Sequence, residues 1–170
     1  MPVSRTLGFD PIDEARRQWR TRGWAAPDAM AAATSIMRAQ QLVLSAVEAA
    51  LRPFDLTFAR YEALVLLTFS RKGSLPLGKM GERLMVHPTS VTNAIDRLEG
   101  QGFVRRVPHP NDRRTVLAEI TPAGRKVVQR ATAAVTEAQF GMHALSSREA
   151  RELTALVRKL RSESGDFEER

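Results

Sequence analysis

Apolar residues recur along this chain with a helical period over most of its length, and the period shortens to two only near the centre. Val91, Ile95 and Leu98 fall at the i, i+4, i+7 spacing that places them on one helix face. Pro88 suits a first helical position, where its missing N–H is no loss, and Gly100 and Gly102 are residues on which a helix can end left-handed. The spacing therefore predicts a helix over 88–99. Two alternating, β-branched runs follow, 103–107 and 115–120, on either side of a basic loop from Pro108 to Arg114. The centre reads as a helix feeding a hairpin with a basic tip.

The flanks are helical and longer. Asp10-Pro11, with Asp13 and Glu14 in the first turn, marks a helix start; Gly23 closes it, and Ile12, Ala15 and Trp19 share a face. Residues 1–9 ahead of it read as disorder-prone. Trp24 follows the stop, and two tryptophans in so short a segment imply packing rather than a free tail. From Asp28 to Leu51, Met30, Met37, Leu44 and Leu51 stand seven apart with Ala33, Gln40 and Val47 between them, the a/d spacing of a helix–helix seam. Pro53 stops it. Thr57 then caps a helix with Phe58, Tyr61, Leu64, Val65 and Phe69 inward, ending at Gly73. Leu75 to Leu77 leaves room for one edge strand or link. Gly78–Leu84 makes two helical turns with Met80 and Leu84 on one face, and a brief turn through Val86 leads into the 88–99 helix. Beyond the hairpin, Thr121-Pro122 opens a helix to about Met142 along Val128, Ala131, Val135 and Met142. Ser146 and Glu149 form the capping box of a last helix carrying Leu153, Leu156, Val157 and Leu160.

Two short helices joined by a tight turn make a helix-turn-helix, and the basic hairpin makes it a winged one. The expected fold class is mainly α with a small β-wing. A single domain of 1–170 would hold a winged module at 55–121, flanked by dimerisation helices at 10–54 and 122–164, whose apolar stripes exceed what one small module covers.

Charge sharpens this picture. The net charge is +7, and residues 71–130 hold 12 Lys/Arg against 5 Asp/Glu while the rest of the chain holds 14 of each. The excess sits around the helix and hairpin, as a polyanion-binding module requires. The absence of cysteine excludes disulfides, Cys-based zinc sites and thiol switches. No apolar run approaches membrane-spanning length, no signal-peptide core is present, and no catalytic motif appears, so the expectation is a cytoplasmic protein that is not an enzyme. His109 has no second ligand at metal spacing. No metal or cofactor is expected.

Leu98-Glu99, Gly102-Phe103-Val104, Arg106, Asp112-Arg113-Arg114 and Ile120-Thr121-Pro122-Ala123-Gly124 resemble the recognition-helix end, wing and following helix start of MarR-type transcriptional regulators. The likeness runs from about Asp28 to Leu160. It implies a homodimer whose two winged modules meet successive major grooves of a pseudo-palindromic double-stranded DNA operator. It also implies repression or activation tuned by a small-molecule effector held between the dimer helices and the module. A ligand-independent or nucleoid-associated DNA-binding protein would share the same basic module and remains the alternative.

The residues agree with the resemblance. The solvent face of the 88–99 helix offers Thr89, Ser90, Thr92, Asn93 and Arg97 to base edges and phosphates, with Asn93 the first candidate for base reading. Many relatives carry arginine at Asn93, so contact there is shorter or water-mediated. His87 stands at a cap position, and Asp96 and Arg97 suit structural pairs better than base contacts. In the wing, Arg114 oriented by Asp112 matches the family's minor-groove arginine, while Arg113 and Arg106 suit phosphate or structural roles. Family members that respond to urate or other small anions carry an N-terminal tryptophan, an acid after an aromatic residue, and arginines near the recognition helix and wing. Trp19, Trp24, Glu62 after Tyr61, and Arg106 are the corresponding candidate ligand residues here, and Ala94 stands where such members have a further arginine.

Overall fold

The computed structural model describes residues 7–168, apart from the side chain of Arg113. Most of the segment read as disorder-prone, 1–9, lies outside them. The chain divides into two compact units, Met1–Ser45 and Ala46–Arg170.

In the first unit, helix α1 (Pro11–Thr21) starts on Asp10, whose carboxylate accepts the Ile12 N–H at 2.8 Å. Trp19 and Trp24 meet edge to face with centroids 4.8 Å apart, and the Trp19 indole N–H donates to the Ala25 carbonyl at 2.9 Å. Arg16 and Arg20 both reach the Asp28 carboxylate, at 3.4 and 2.8 Å, in the first turn of α2 (Pro27–Leu51). The two tryptophans thus pack on each other in a short folded-back segment. Along α2 the expected seam stays open over its middle: Met37 is 68% exposed, and Ile36 and Leu42 are exposed beside it.

The second unit holds most of the core. After a 3-10 turn at Arg52–Phe54 come α3 (Phe58–Phe69), β1 (Ser74–Pro76), α4 (Leu77–Leu84), α5 (Pro88–Gly100), β2 (Val104–His109), β3 (Asp112–Ile120), α6 (Pro122–Glu137), a second 3-10 turn at Gln139–Gly141, and α7 (Ser147–Glu163). The strands form an antiparallel sheet in the order β1-β3-β2, with Leu75 opposite Ala118 and Val104 opposite Ile120. Leu64, Leu67, Met80, Ile95, Leu98, Val104 and Val135 are fully buried. The mainly α fold with a small wing is as expected.

Five local features differ from the sequence reading, the first being Phe69, placed inward by the helical pattern but 79% exposed. The hairpin is tighter: His109 pairs with Asp112, so Pro110 and Asn111 alone form the tip and Asp112–Arg114 belong to β3. Pro108 is tolerated because β2 is an edge strand and the register shifts beside it. Gly100 is the last helical residue of α5, and only Gly102, at φ 73°, is left-handed. The strand read at Leu75–Leu77 is Ser74–Pro76, because Leu77 already opens α4. Finally, α6 stops at Glu137 instead of running to Met142. Gln139, Phe140 and Gly141 all take positive φ, so the chain reverses there without proline.

The likeness-bearing run at the end of the wing has a physical account. The Thr121 hydroxyl accepts the Gly124 N–H at 3.0 Å, capping α6, and donates to the Gly102 carbonyl at 2.7 Å. A Cβ on Gly124 would collide with the Phe103 carbonyl oxygen. Glycine is required because the start of α6 lies against the start of the wing.

Candidate nucleic-acid interface

Helices α4 and α5 approach closely at Gly81, where a Cβ would stand 3.3 Å from the Val86 carbonyl oxygen. Met85 closes α4 in the left-handed conformation, and the Val86 N–H returns to the Gly81 carbonyl at 3.1 Å. The turn is thereby complete within three residues. His87 then caps α5, its Nδ1 accepting the Thr89 N–H at 3.3 Å.

Burying Val91, Ile95 and Leu98 leaves Thr89, Ser90, Thr92, Asn93, Asp96 and Arg97 exposed on the opposite face. The Thr92 hydroxyl donates back to Pro88 at 3.1 Å and keeps its lone pairs outward. Among the described residues, none bonds the Asn93 amide or the Arg97 guanidinium. These two groups are unsatisfied except by solvent or a ligand.

In the wing, Asp112 Oδ1 accepts the backbone N–H of Arg114 at 3.0 Å and Oδ2 accepts the Thr115 hydroxyl at 2.6 Å. The Thr115 bond first, then the Arg114 amide, holds this carboxyl below its ordinary range. Asp112 therefore grips the main chain at Arg114 rather than its guanidinium, which is exposed. Arg113 lies on β3 beside it, with its side chain outside the described set.

Arg106 is placed differently. Its guanidinium, only 27% exposed, pairs with Asp96 at 2.5 Å and with Glu99, while its backbone N–H donates to Glu99 at 2.9 Å. That backbone bond and the guanidinium hold the Glu99 carboxyl below its usual value. The result is a bracket from β2 to the last turns of α5, which fixes the angle between wing and recognition helix. Sequence reasoning paired Asp96 with no particular partner and missed Glu99. The signal that could have found it is the short α5–β2 link, which brings positions seven apart face to face.

Glu62 lines a cavity of about 330 Å3 between α3 and α4, with Phe58, Tyr61, Val65 and Phe69 on one side, Arg83 and Leu84 on another, and Phe140 at its edge. Glu62 is half-buried, and burial pushes its carboxyl up. Arg106 is not among the lining residues. Trp19 and Trp24 belong to the first unit.

The turn-linked α4–α5 pair, the arginine-bearing hairpin and the exposed polar face between them define the winged helix-turn-helix class. A family model described as the MarR family matches residues 59–116. The crystal structure of Sco5413, a MarR family transcriptional regulator from Streptomyces coelicolor, is 54% identical, covers 84% of this chain and 99% of its own, and superposes with a TM-score of 0.76. Sco3205 from the same organism, another MarR family regulator solved in complex with DNA, is 23% identical over 81% of this chain and 88% of its own, with a TM-score of 0.71. YhbI of Bacillus subtilis, an uncharacterized HTH-type transcriptional regulator, is 34% identical over 63% of this chain, and the match spans 65% of its own length, just under two thirds. The chain belongs to the MarR family of transcriptional regulators, which are not enzymes. No described helix is long and apolar enough to cross a membrane.

Proposed function

We propose that the protein is a sequence-specific, double-stranded DNA-binding repressor that acts in the cytoplasm as a homodimer on a pseudo-palindromic operator, its affinity set by a small effector. The observation that carries this reading is the pairing of an exposed recognition face at Thr89, Ser90, Thr92, Asn93 and Arg97, on which no described residue bonds the Asn93 amide or the Arg97 guanidinium, with the exposed Arg114 of the wing. Asn93 reads a base edge, Arg97 and Arg113 meet phosphates, and Arg114 enters the minor groove with its backbone held by Asp112. The bracket of Arg106 keeps the two elements in one frame, which supports a structural role for it over a ligand-binding one.

Two solved structures of the same fold support the DNA partner: a mutant MarR from E. coli was crystallised with operator DNA and Sco3205 with DNA. The dimer is supported by α7, which buries none of its residues within the chain while exposing Leu153, Leu156 and Leu160. A bound dimer represses by occupying promoter DNA. Selection of bound fragments from random duplex DNA tests the reading: the expected product is an inverted repeat whose half-sites are about one helical turn apart. Recovery of unrelated sequences bound equally well would favour the ligand-independent, nucleoid-like alternative instead.

A further inference from the structure

We propose that the cavity between α3 and α4 binds an organic cation, a quaternary or protonated amine with an apolar body, through the Glu62 carboxylate and the rings of Phe58, Tyr61, Phe69 and Phe140. This deepens the effector part of the function proposed above, and it rests on that reading only for its consequence on DNA.

Glu62 is the carboxylate that lines this cavity. It is half-buried on α3, and no described residue donates a hydrogen bond or salt bridge to it. The half-buried guanidinium of Arg106, by contrast, is compensated by Asp96 and Glu99. A carboxylate withdrawn from water without a partner is costly, and the cost falls when a cation supplies the missing charge. The raised carboxyl pKa has burial as its cause, with no contribution from Arg83. Arg83 also lines the cavity but is exposed, and no ion pair joins it to Glu62.

The walls have matching chemistry. Phe58 and Tyr61 stack with centroids 6.4 Å apart, and the Tyr61 hydroxyl is already satisfied by Thr132 at 3.1 Å, so this residue offers its ring rather than a polar group. Phe69 and Phe140 are 79% and 41% exposed, a large aromatic area left in water at the rim. Aromatic faces beside a carboxylate are the environment that attracts weakly hydrated ammonium groups. Phe140, which lines this cavity, stands at φ 53°, a conformation costly for a bulky side chain. A second cavity of about 560 Å3 shares Tyr61, Val65, Phe69 and Phe140 and gives an apolar body room to extend. In the cavity that Glu62 lines, an anion would meet an uncompensated carboxylate, its only arginine there being the exposed Arg83, while Arg125 lines the second cavity. Because α4 is the first helix of the helix-turn-helix, an occupant held between α3 and α4 bears directly on the DNA-binding frame.

The test is an amide-shift NMR titration of the full-length protein, without DNA, using benzyltrimethylammonium, with benzyl alcohol and phenylacetate as neutral and anionic counterparts. Expected are saturable shifts confined to α3, Arg83–Leu84 and the Phe140 turn, with the cation at least about tenfold tighter than either counterpart. Glu62→Gln should remove that preference and Glu62→Asp retain it, with α5 amides unchanged as evidence of folding. The probe series on the unmodified protein decides the matter even if a variant fails to fold. Absence of saturable shifts, tighter binding of phenylacetate, or an unchanged cation affinity in Glu62→Gln would each overturn the proposal. So would Glu62→Gln dissociating the dimer while the probe leaves α3 unshifted, which would make Glu62 a subunit contact. Since no DNA is present, failure here leaves the operator reading standing. Conversely, failure of the duplex selection leaves the cation site standing.

Discussion

Helices α5 and α7 are both amphipathic, yet they resolve their apolar stripes in opposite ways. Val91, Ile95 and Leu98 of α5 are buried within the unit, so its polar face is left to solvent. None of the 17 residues of α7 is buried, and Leu156 and Leu160 are 67% and 56% exposed. The first helix has committed its hydrophobic face to the fold and keeps its polar face for a ligand. The second leaves its hydrophobic face uncovered within the chain. Contiguous exposed apolar surface of this kind marks an interaction surface.

The largest effect that would sharpen this contrast is at α7. Each leucine buried at an interface is worth about 1.5–3 kcal/mol, and two-fold symmetry repeats every change. Leu156→Ser with Leu160→Ser should therefore give a folded monomer in sedimentation at micromolar concentration, with operator affinity lost by orders of magnitude. A dimer that survives both changes would remove α7 from the interface. Next comes Ile95→Ala on α5, which should lower unfolding free energy in urea by about 2–5 kcal/mol, whereas Leu156→Ala should leave the stability of the isolated chain nearly unchanged.

Smaller effects lie on the polar face. Asn93→Ala should cost about 1–3 kcal/mol on the preferred duplex and relax base choice at one position per half-site; equal weakening on random DNA would make it a backbone contact. Arg114→Ala should flatten preference for flanking A·T pairs, and Arg114→Lys should restore only part, since the ammonium is costlier to desolvate in a narrow groove. Asp112→Ala should weaken binding modestly, because it frees the Arg114 backbone. Tighter binding at moderate salt would show that only its negative charge mattered.

The smallest expected effect is on pH dependence. Glu99 has a folded-state pKa below its ordinary value, so its contribution to stability is present at neutral pH and above, and disappears as pH falls through the folded-state pKa. Glu99→Gln should flatten stability against pH in the acid range, read by thermal melts from neutral pH downward. An unchanged profile would mean that Asp96 alone holds Arg106.

The secondary structure of the winged module was legible because local rules agree there: periodicity at Val91, Ile95 and Leu98, the caps at Thr57 and Thr121, and alternation along β2 and β3 all point the same way. The end of α6 was not. Ala138, Gln139 and Phe140 are compatible with helix, and nothing in their local sequence marks the positive φ that Gln139 and Phe140 adopt. Site residues divide in the same way. Exposure of Asn93 follows from helical period alone, whereas the engagement of Arg106 depends on how β2 returns beside α5.

The sequence by itself determined the order of elements, the basic centre and the faces of each helix, because periodicity, capping and charge are properties of neighbours along the chain. Tertiary structure decided which polar groups are consumed and which are left over. Asp112 holds backbone rather than guanidinium, Arg106 is taken by Asp96 and Glu99, and Glu62 is left half-buried without a described partner. Those outcomes depend on distances between residues that the chain brings together only by folding, and a charge means one thing when paired and another when withdrawn from water alone.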